Sequence, residues 1–284
     1  MYKGGLRMKN LAVALLSCSI GFAAVDHASH WDGAKYHFNS EEQFQAAKQI
    51  VDTLPTKEWY HILDVGCGDG RISAMIQDKL VMGRVWGIDI NRSMIEFARQ
   101  RFPHIGFHFS VRDAMRIDWD EDFDMVVSFS TLQWIPNQEE FLPKVHACLK
   151  MGRHFISDTP QGLPAALQKA CDTVCKQEQW RTSFEGYAPK WRFWTANEYR
   201  SLLEKAGFEV LTCSSRVVPH TFPSKEAFKG FIMQWFPYLS QLENEYQKDA
   251  FMRAVIDEYL ANVDEEGETV PFPVYRLKVD AIKQ

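Results

Sequence analysis

Tyr60-His61-Ile62-Leu63-Asp64-Val65-Gly66-Cys67-Gly68-Asp69-Gly70-Arg71-Ile72-Ser73 is the stretch whose reading decides the fold. Residues 62–65 form a short apolar run that suits a strand buried on both faces. Glycine at 66, 68 and 70 lets the backbone turn sharply and approach a ligand with no Cβ in the way. Residues 71–76 then open a helix. Strand, glycine loop and helix together make a nucleotide-binding unit.

Phosphate-binding versions of that unit do not fit. A dinucleotide fingerprint, G-x-G-x-x-G, needs a third glycine where this chain has Arg71, and Asp69 stands where a phosphate would be repelled. The pattern G-x-x-x-x-G-K-[ST] is absent. D-x-G-x-G-x-G suits a cationic ligand without phosphates, because Asp64 and Asp69 put negative charge near a sulfonium and an ammonium. S-adenosylmethionine is that ligand. The bland alternative is an ordinary tight turn between strand and helix, and the residues further along the chain argue against it.

The bulk numbers bound the rest. A chain of 284 residues suits one α/β domain with an appended lid, or at most two domains. A formal charge of −5 and the lack of a Lys/Arg stripe argue against a nucleic-acid partner. Six cysteines are scattered without framework spacing, so reduced thiols are expected. Cys171-x-x-x-Cys175 lies on one helix face, but no further Cys/His pair has ligand spacing, so no metal is expected. The chain is read as a monomer.

Lys3, Arg7 and Lys9 precede an apolar run over residues 11–24. That run has the length of a signal-peptide core and is too short to span a bilayer. Export stands against a cofactor made and kept in the cytosol, and both localisations stay open. The division follows as 1–25, a signal-like or disordered extension; 26–160, the cofactor-binding core; and 161–284, the rest of the sheet with a lid.

Trp31-Asp32-Gly33-Ala34-Lys35-Tyr36 leads into an amphipathic helix over 40–54, with Ser40 and Gln43 spaced as a capping box. Trp31 and Tyr36 either cover the cofactor or simply pack. Residues 84–89 read as the second strand, ending in Asp89 followed by Ile90. An acidic residue roughly 20 positions past the loop can accept from both ribose hydroxyls. Residues 105–110 form a third strand, with Asp113-Ala114 just beyond it, placed for the adenine or for turn chemistry. Residues 123–129 form the fourth, and Ser130-Thr131-Leu132-Gln133-Trp134 leaves its ligand-binding end. A fifth strand spans 153–158. This alternation predicts a doubly wound, mostly parallel seven-stranded sheet with a helical lid.

Beyond Pro160 come a helix over 163–179, an irregular aromatic stretch over 180–194, and a helix over 196–206 capped by Thr195 and stopped by Gly207. A strand over 208–218 follows, then a helical stretch over 224–260 interrupted at Pro237, and a final strand over 270–280. Phe228, Phe231, Ile232, Trp235 and Phe236 are too many apolar groups for a free helix, so they roof a pocket or pack on the sheet.

The glycine loop, Asp89, Asp113 and the segment after strand four together resemble class I S-adenosylmethionine-dependent methyltransferases. Trp31-Asp-x-Ala-x-Tyr36, Ser130-Thr-Leu-Gln-Trp-Ile135 and Pro271-Phe-Pro273 resemble the trans-aconitate methyltransferases. The glycine loop and Tyr275-Arg-Leu-Lys-Val279 look equally like juvenile hormone acid methyltransferases. Both groups methylate free carboxylates. Where the first group has arginine after Phe-Pro, this chain has Val274, with Arg276 two residues on and on the same face of a strand.

The resemblance implies a Rossmann-like fold. It implies cofactor binding through Asp64, Gly66, Cys67, Gly68, Asp89, Ile90, Asp113 and Ala114, with Ser128 and Phe129 near the methionyl end. Gln133 and Trp134 would border the transferred methyl. Our own mechanistic expectation is that Trp134 and the aromatic lid exclude solvent while one of Arg192 or Arg276 positions an acceptor carboxylate. The alternatives are a carrier-bound malonyl group, a carbon or phenol acceptor, or a non-catalytic cofactor-binding protein. The signature [DN]-P-P-[YF] of base methylation is absent after strand four.

Overall fold

The computed structural model describes residues 31–263 and 268–284. The signal-like run over 11–24 lies outside the described residues. Nine strands occur among them: β1 His61–Val65, β2 Arg84–Asp89, β3 Phe107–Val111, β4 Phe123–Phe129, β5 Leu149–Pro160, β6 Phe208–Val218, β7 Thr221–Phe222, β8 Val270–Pro271 and β9 Val274–Lys283. Seven of them make one sheet in the order β3-β2-β1-β4-β5-β9-β6. β1 pairs in parallel with β2 and β4, β2 with β3, and β4 with β5, while β9 runs antiparallel between β5 and β6. This is the doubly wound, mostly parallel sheet expected from the strand–helix alternation.

The central strands are buried because helices cover both faces. All seven residues of β4 are buried. On one face, Ile50, Val51 and Ile76 pack against Ile62, Val85 and Val127. On the other, Phe141, Val145, Tyr199 and Leu203 pack against Leu63, Val126 and Phe155. Burying such side chains contributes about 1.5–3 kcal/mol each before conformational entropy is counted. A third apolar cluster lies outside the sheet, where helices Ala165–Val174, Lys225–Met233 and Glu245–Leu260 meet through Leu167, Phe228, Phe251 and Tyr259.

Three local expectations are corrected. The last strand is broken: Val270–Pro271 pairs with Thr221–Phe222, and the long pairing begins only at Val274. Pro273 separates the two, since it has no N–H for a ladder. Ser40 makes no side-chain cap for helix Glu41–Val51; its hydroxyl is taken by Arg71 Nη2 from across the chain. The helix over 163–179 is two pieces, Ala165–Val174 and Glu178–Arg181.

Among the described residues, no helix is long and apolar enough to cross a membrane. Nor do any three His, Cys, Asp or Glu side chains lie where they would hold a metal ion.

Candidate active site

The glycine loop leaves β1 with three residues in the left-handed region, Gly66 at φ 74°, Gly68 at φ 54° and Gly70 at φ 83°. That conformation is natural only to glycine. It turns the Gly66 and Cys67 N–H groups back onto the Ile88 carbonyl, at 2.8 and 3.0 Å, which ties the loop to the end of β2. Asp89, the last residue of β2, accepts from Gly68 N–H through Oδ2 at 3.1 Å and from Asn91 N–H through Oδ1 at 2.8 Å. Its carboxylate is thereby aimed along the loop, with further lone pairs left for a ligand.

Three carboxylates crowd this turn. Asp64 is buried and accepts from the Ser73 hydroxyl at 2.6 Å. Burial, with Asp89 and Asp69 adding repulsion against the Ser73 hydrogen bond, pushes Asp64 up to about 7. Burial likewise pushes Asp89 up to about 6, although the Asn91 and Gly68 N–H groups oppose it. Asp69 is paired with Arg71 Nε at 2.7 Å and His37 Nδ1 at 2.8 Å. Asp64 and Asp89 are raised chiefly because burial disfavours their charged forms, and a cation bound beside them would favour those forms.

A cavity of about 550 Å³ opens on the loop. Gly66, Gly68, Asp89, Ile90, Asp113, Ala114, Phe129, Trp134, Trp31 and Tyr36 all line it, so ten of the expected residues share one space. Asp113 also accepts from Met115 N–H at 2.8 Å, capping a short 3-10 turn. Its turn chemistry and its place on the cavity wall therefore coexist. Asp64 and Cys67 line a smaller recess beneath the loop, with Arg71 and Gln43. The Trp31 and Tyr36 rings stack at 5.7 Å, and Trp31 meets Trp134 edge-on at 5.7 Å.

A narrow third chamber lies on the far side of this aromatic group. Trp134, Trp191, Phe193, Phe231, Trp235 and Phe272 give it apolar walls, and Glu42, Gln43, Ser130 and Gln133 are its polar residues. Tyr36 and Ser130 line all three spaces and so mark where they meet. Gln133 is held in place, its Nε2 donating to the Ser130 carbonyl at 2.8 Å and its Oε1 accepting from Thr159 at 2.6 Å.

Three expected residues lie elsewhere. Ser128 is fully buried and lines none of these spaces; its hydroxyl donates to the Val65 carbonyl at 2.9 Å, joining the ends of β4 and β1. Arg276 is 0% exposed and stays behind the chamber wall. Its Nε donates to Asp158, its Nη2 donates to Ser130 Oγ at 2.7 Å, and its Nη1 lies 3.5 Å from Glu42 Oε1. Arg216 Nη2 flanks the same Asp158 at 2.9 Å. Direct contact of Arg276 with an acceptor carboxylate is therefore corrected: Val274, not Arg276, reaches the chamber. Arg192 is exposed, its guanidinium over the Trp194 ring at 5.7 Å.

Sequence reasoning passed over Thr131, Glu42 and Asn91. Glu42 had a signal: it is an acid on the buried side of helix Glu41–Val51, beside Ala46 and Ile50. A charge there requires a buried partner.

A family described as a methyltransferase domain matches residues 56–207, more than half of the chain. The chain is 25% identical over 261 residues to the 235L protein of Invertebrate iridescent virus 6, covering 90% of this chain and 95% of that one. It is also 25% identical over 241 residues to a trans-aconitate 2-methyltransferase of Methylobacterium radiotolerans, covering 81% and 90%. Among solved structures, YcgJ of Bacillus subtilis superposes with a TM-score of 0.59 at 12% identity, covering 85% and 99%. Phosphoethanolamine N-methyltransferase 2 of Haemonchus contortus, solved with S-adenosyl-L-methionine, superposes with a TM-score of 0.52 at 14% identity, covering 84% and 52%. The left-handed glycine loop, the anionic turn and the long cavity beside Asp89 fit that cofactor. The chain belongs to the methyltransferase-domain family and is an S-adenosylmethionine-dependent methyltransferase.

Proposed function

We propose that the chain methylates the carboxylate of a small, largely apolar organic acid. The observation that carries this reading is the aromatic chamber meeting the cofactor cavity at Tyr36 and Ser130. No histidine lines it. A carboxylate is already ionised at neutral pH and needs no strong base, so such a wall suits it better than a phenol or an amine.

When bound, the cofactor supplies an activated methyl group. The chain's part is then to orient the acid oxygen and to exclude water. Asp89 and Asp113 would hold the adenosine end, and Asp64 and Asp69 would offset the positive charge. Trp31, Trp134 and Tyr36 would screen the junction, with Gln133 fixing the turn that carries Trp134.

The chamber favours one carboxylate over three. Its polar wall includes the buried acid Glu42, and the nearby guanidinium of Arg276 is already flanked by Asp158 and Glu42. A tricarboxylate such as the one in the relatives' name would meet like charge without free cations.

The test is release of S-adenosylhomocysteine across a panel of mono-, di- and tricarboxylic acids, phenols and amines. Apolar monocarboxylates should turn over best. Turnover confined to phenols or amines would overturn the reading.

A further inference from the structure

The expected cation is hidden, yet its charge has a route into the chamber. We infer that Ser130 contacts the acceptor carboxylate and that Arg276 acts through it, as a positioning residue. This rests on the carboxylate reading above.

Arg276 Nη2 donates to Ser130 Oγ at 2.7 Å. A guanidinium has no acceptor, so the hydroxyl's own hydrogen points elsewhere. Among the described residues no acceptor is bonded to it, while Ser130 lines the chamber, the cofactor cavity and the recess between them. A hydroxyl that accepts from a cation is polarised and becomes a stronger donor. Ser130 thus presents a positively biased O–H where the two ligands meet, without exposing the guanidinium.

The backbone holds it there. Ser130 has φ 52°, left-handed for a non-glycine residue. Its N–H donates to the Asp158 carbonyl at 2.8 Å, and its carbonyl accepts from Gln133 at 2.8 Å. Strain of this kind persists where the surroundings over-determine it, and it clusters at functional positions. Asp158, between Arg276 and Arg216, keeps the guanidinium from swinging into the chamber. An acid oxygen is thereby drawn toward one point, while a second carboxylate finds only Glu42.

The test uses octanoate and the neutral isostere octanamide, titrated calorimetrically against the protein saturated with S-adenosylhomocysteine. Ser130→Ala and Ser130→Gly are compared with the parent, the glycine variant also relieving the left-handed strain. Each should weaken octanoate about tenfold or more and octanamide less than threefold, both read at saturating cofactor product, because hydrogen bonds to a charged group are the stronger ones.

Equal losses for acid and amide, or a loss confined to the cofactor product, would overturn the role of Ser130 and leave the carboxylate reading standing. A parent protein that binds no acid in the panel would remove both.

Discussion

Gly66 and Thr131 approach so closely that a Cβ on the glycine would stand 2.1 Å from the threonine Oγ1. Thr131 is not free to retreat, because its Oγ1 donates to the Phe129 carbonyl at 3.0 Å. Gly66→Ala should therefore push the glycine loop off the end of β4 and lower affinity for S-adenosylmethionine about tenfold or more. Adding Thr131→Gly removes the obstructing atoms and should recover part of that loss. Calorimetric titration of the single and double variants checks both.

Asp89 orients two backbone N–H groups and faces the cavity. Asp89→Asn keeps the shape but exchanges one acceptor oxygen for a donor, so it loses a charge-assisted bond to the loop or to the ligand. Affinity for S-adenosylmethionine should fall about tenfold to a hundredfold, with a smaller effect on thermal stability. Equilibrium dialysis beside a melting curve separates the two.

The acids of the turn give the protein a pH signature. Asp64 and Asp89 titrate near 7 and near 6 in the folded chain, well above the ordinary carboxylate range near 4. A raised folded value means the native state binds more protons than the unfolded chain. These two groups therefore favour the fold most fully below about pH 4, and that contribution is lost as pH rises toward 7. Cofactor binding should follow the opposite trend, because on the reading above Asp64 offsets the positive charge, and Asp89 accepts from the adenosine end, best when ionised. Between pH 5.5 and 8, affinity for S-adenosylmethionine should climb more steeply than affinity for the uncharged-sulfur product, read by parallel titrations.

Arg276 is the largest fully buried side chain of the structure, with Asp158 and Glu42 against it. Burial raises Glu42, and Arg276 is the leading influence that opposes it. Arg276→Met removes the cation and strands Asp158 with Arg216 alone. Breaking one side of a buried charge group costs about 3–5 kcal/mol. Urea unfolding of the variant should show a loss of that order.

What could be read in advance divides along chain distance. β4 at Phe123–Phe129 and β6 at Phe208–Val218 were legible because each is an uninterrupted or alternating run bounded by turn chemistry. The Thr195 cap was legible too, since Glu198 sits three residues on, and the reciprocal bonds form. The Ser40 cap was not, because its competitor is Arg71, far along the chain. The same reason hid the Glu42–Arg276–Asp158 group. Its members come from a helix and two strands, and only the pairing of β5 with β9 brings Asp158 and Arg276 together. The positive φ of Ser130 was equally out of reach, since no glycine marks the place.

The order of the strands has a consequence for how the molecule becomes whole. β9 is the last of the described strands in chain order but sits between β5 and β6, which share the sheet only through it. The strands β1 to β4, whose ends border the large cavity, all precede it in the chain. The wedge that completes the architecture also delivers the guanidinium behind Ser130. Closure of the sheet and the bond from Arg276 to Ser130 thus depend on one and the same strand.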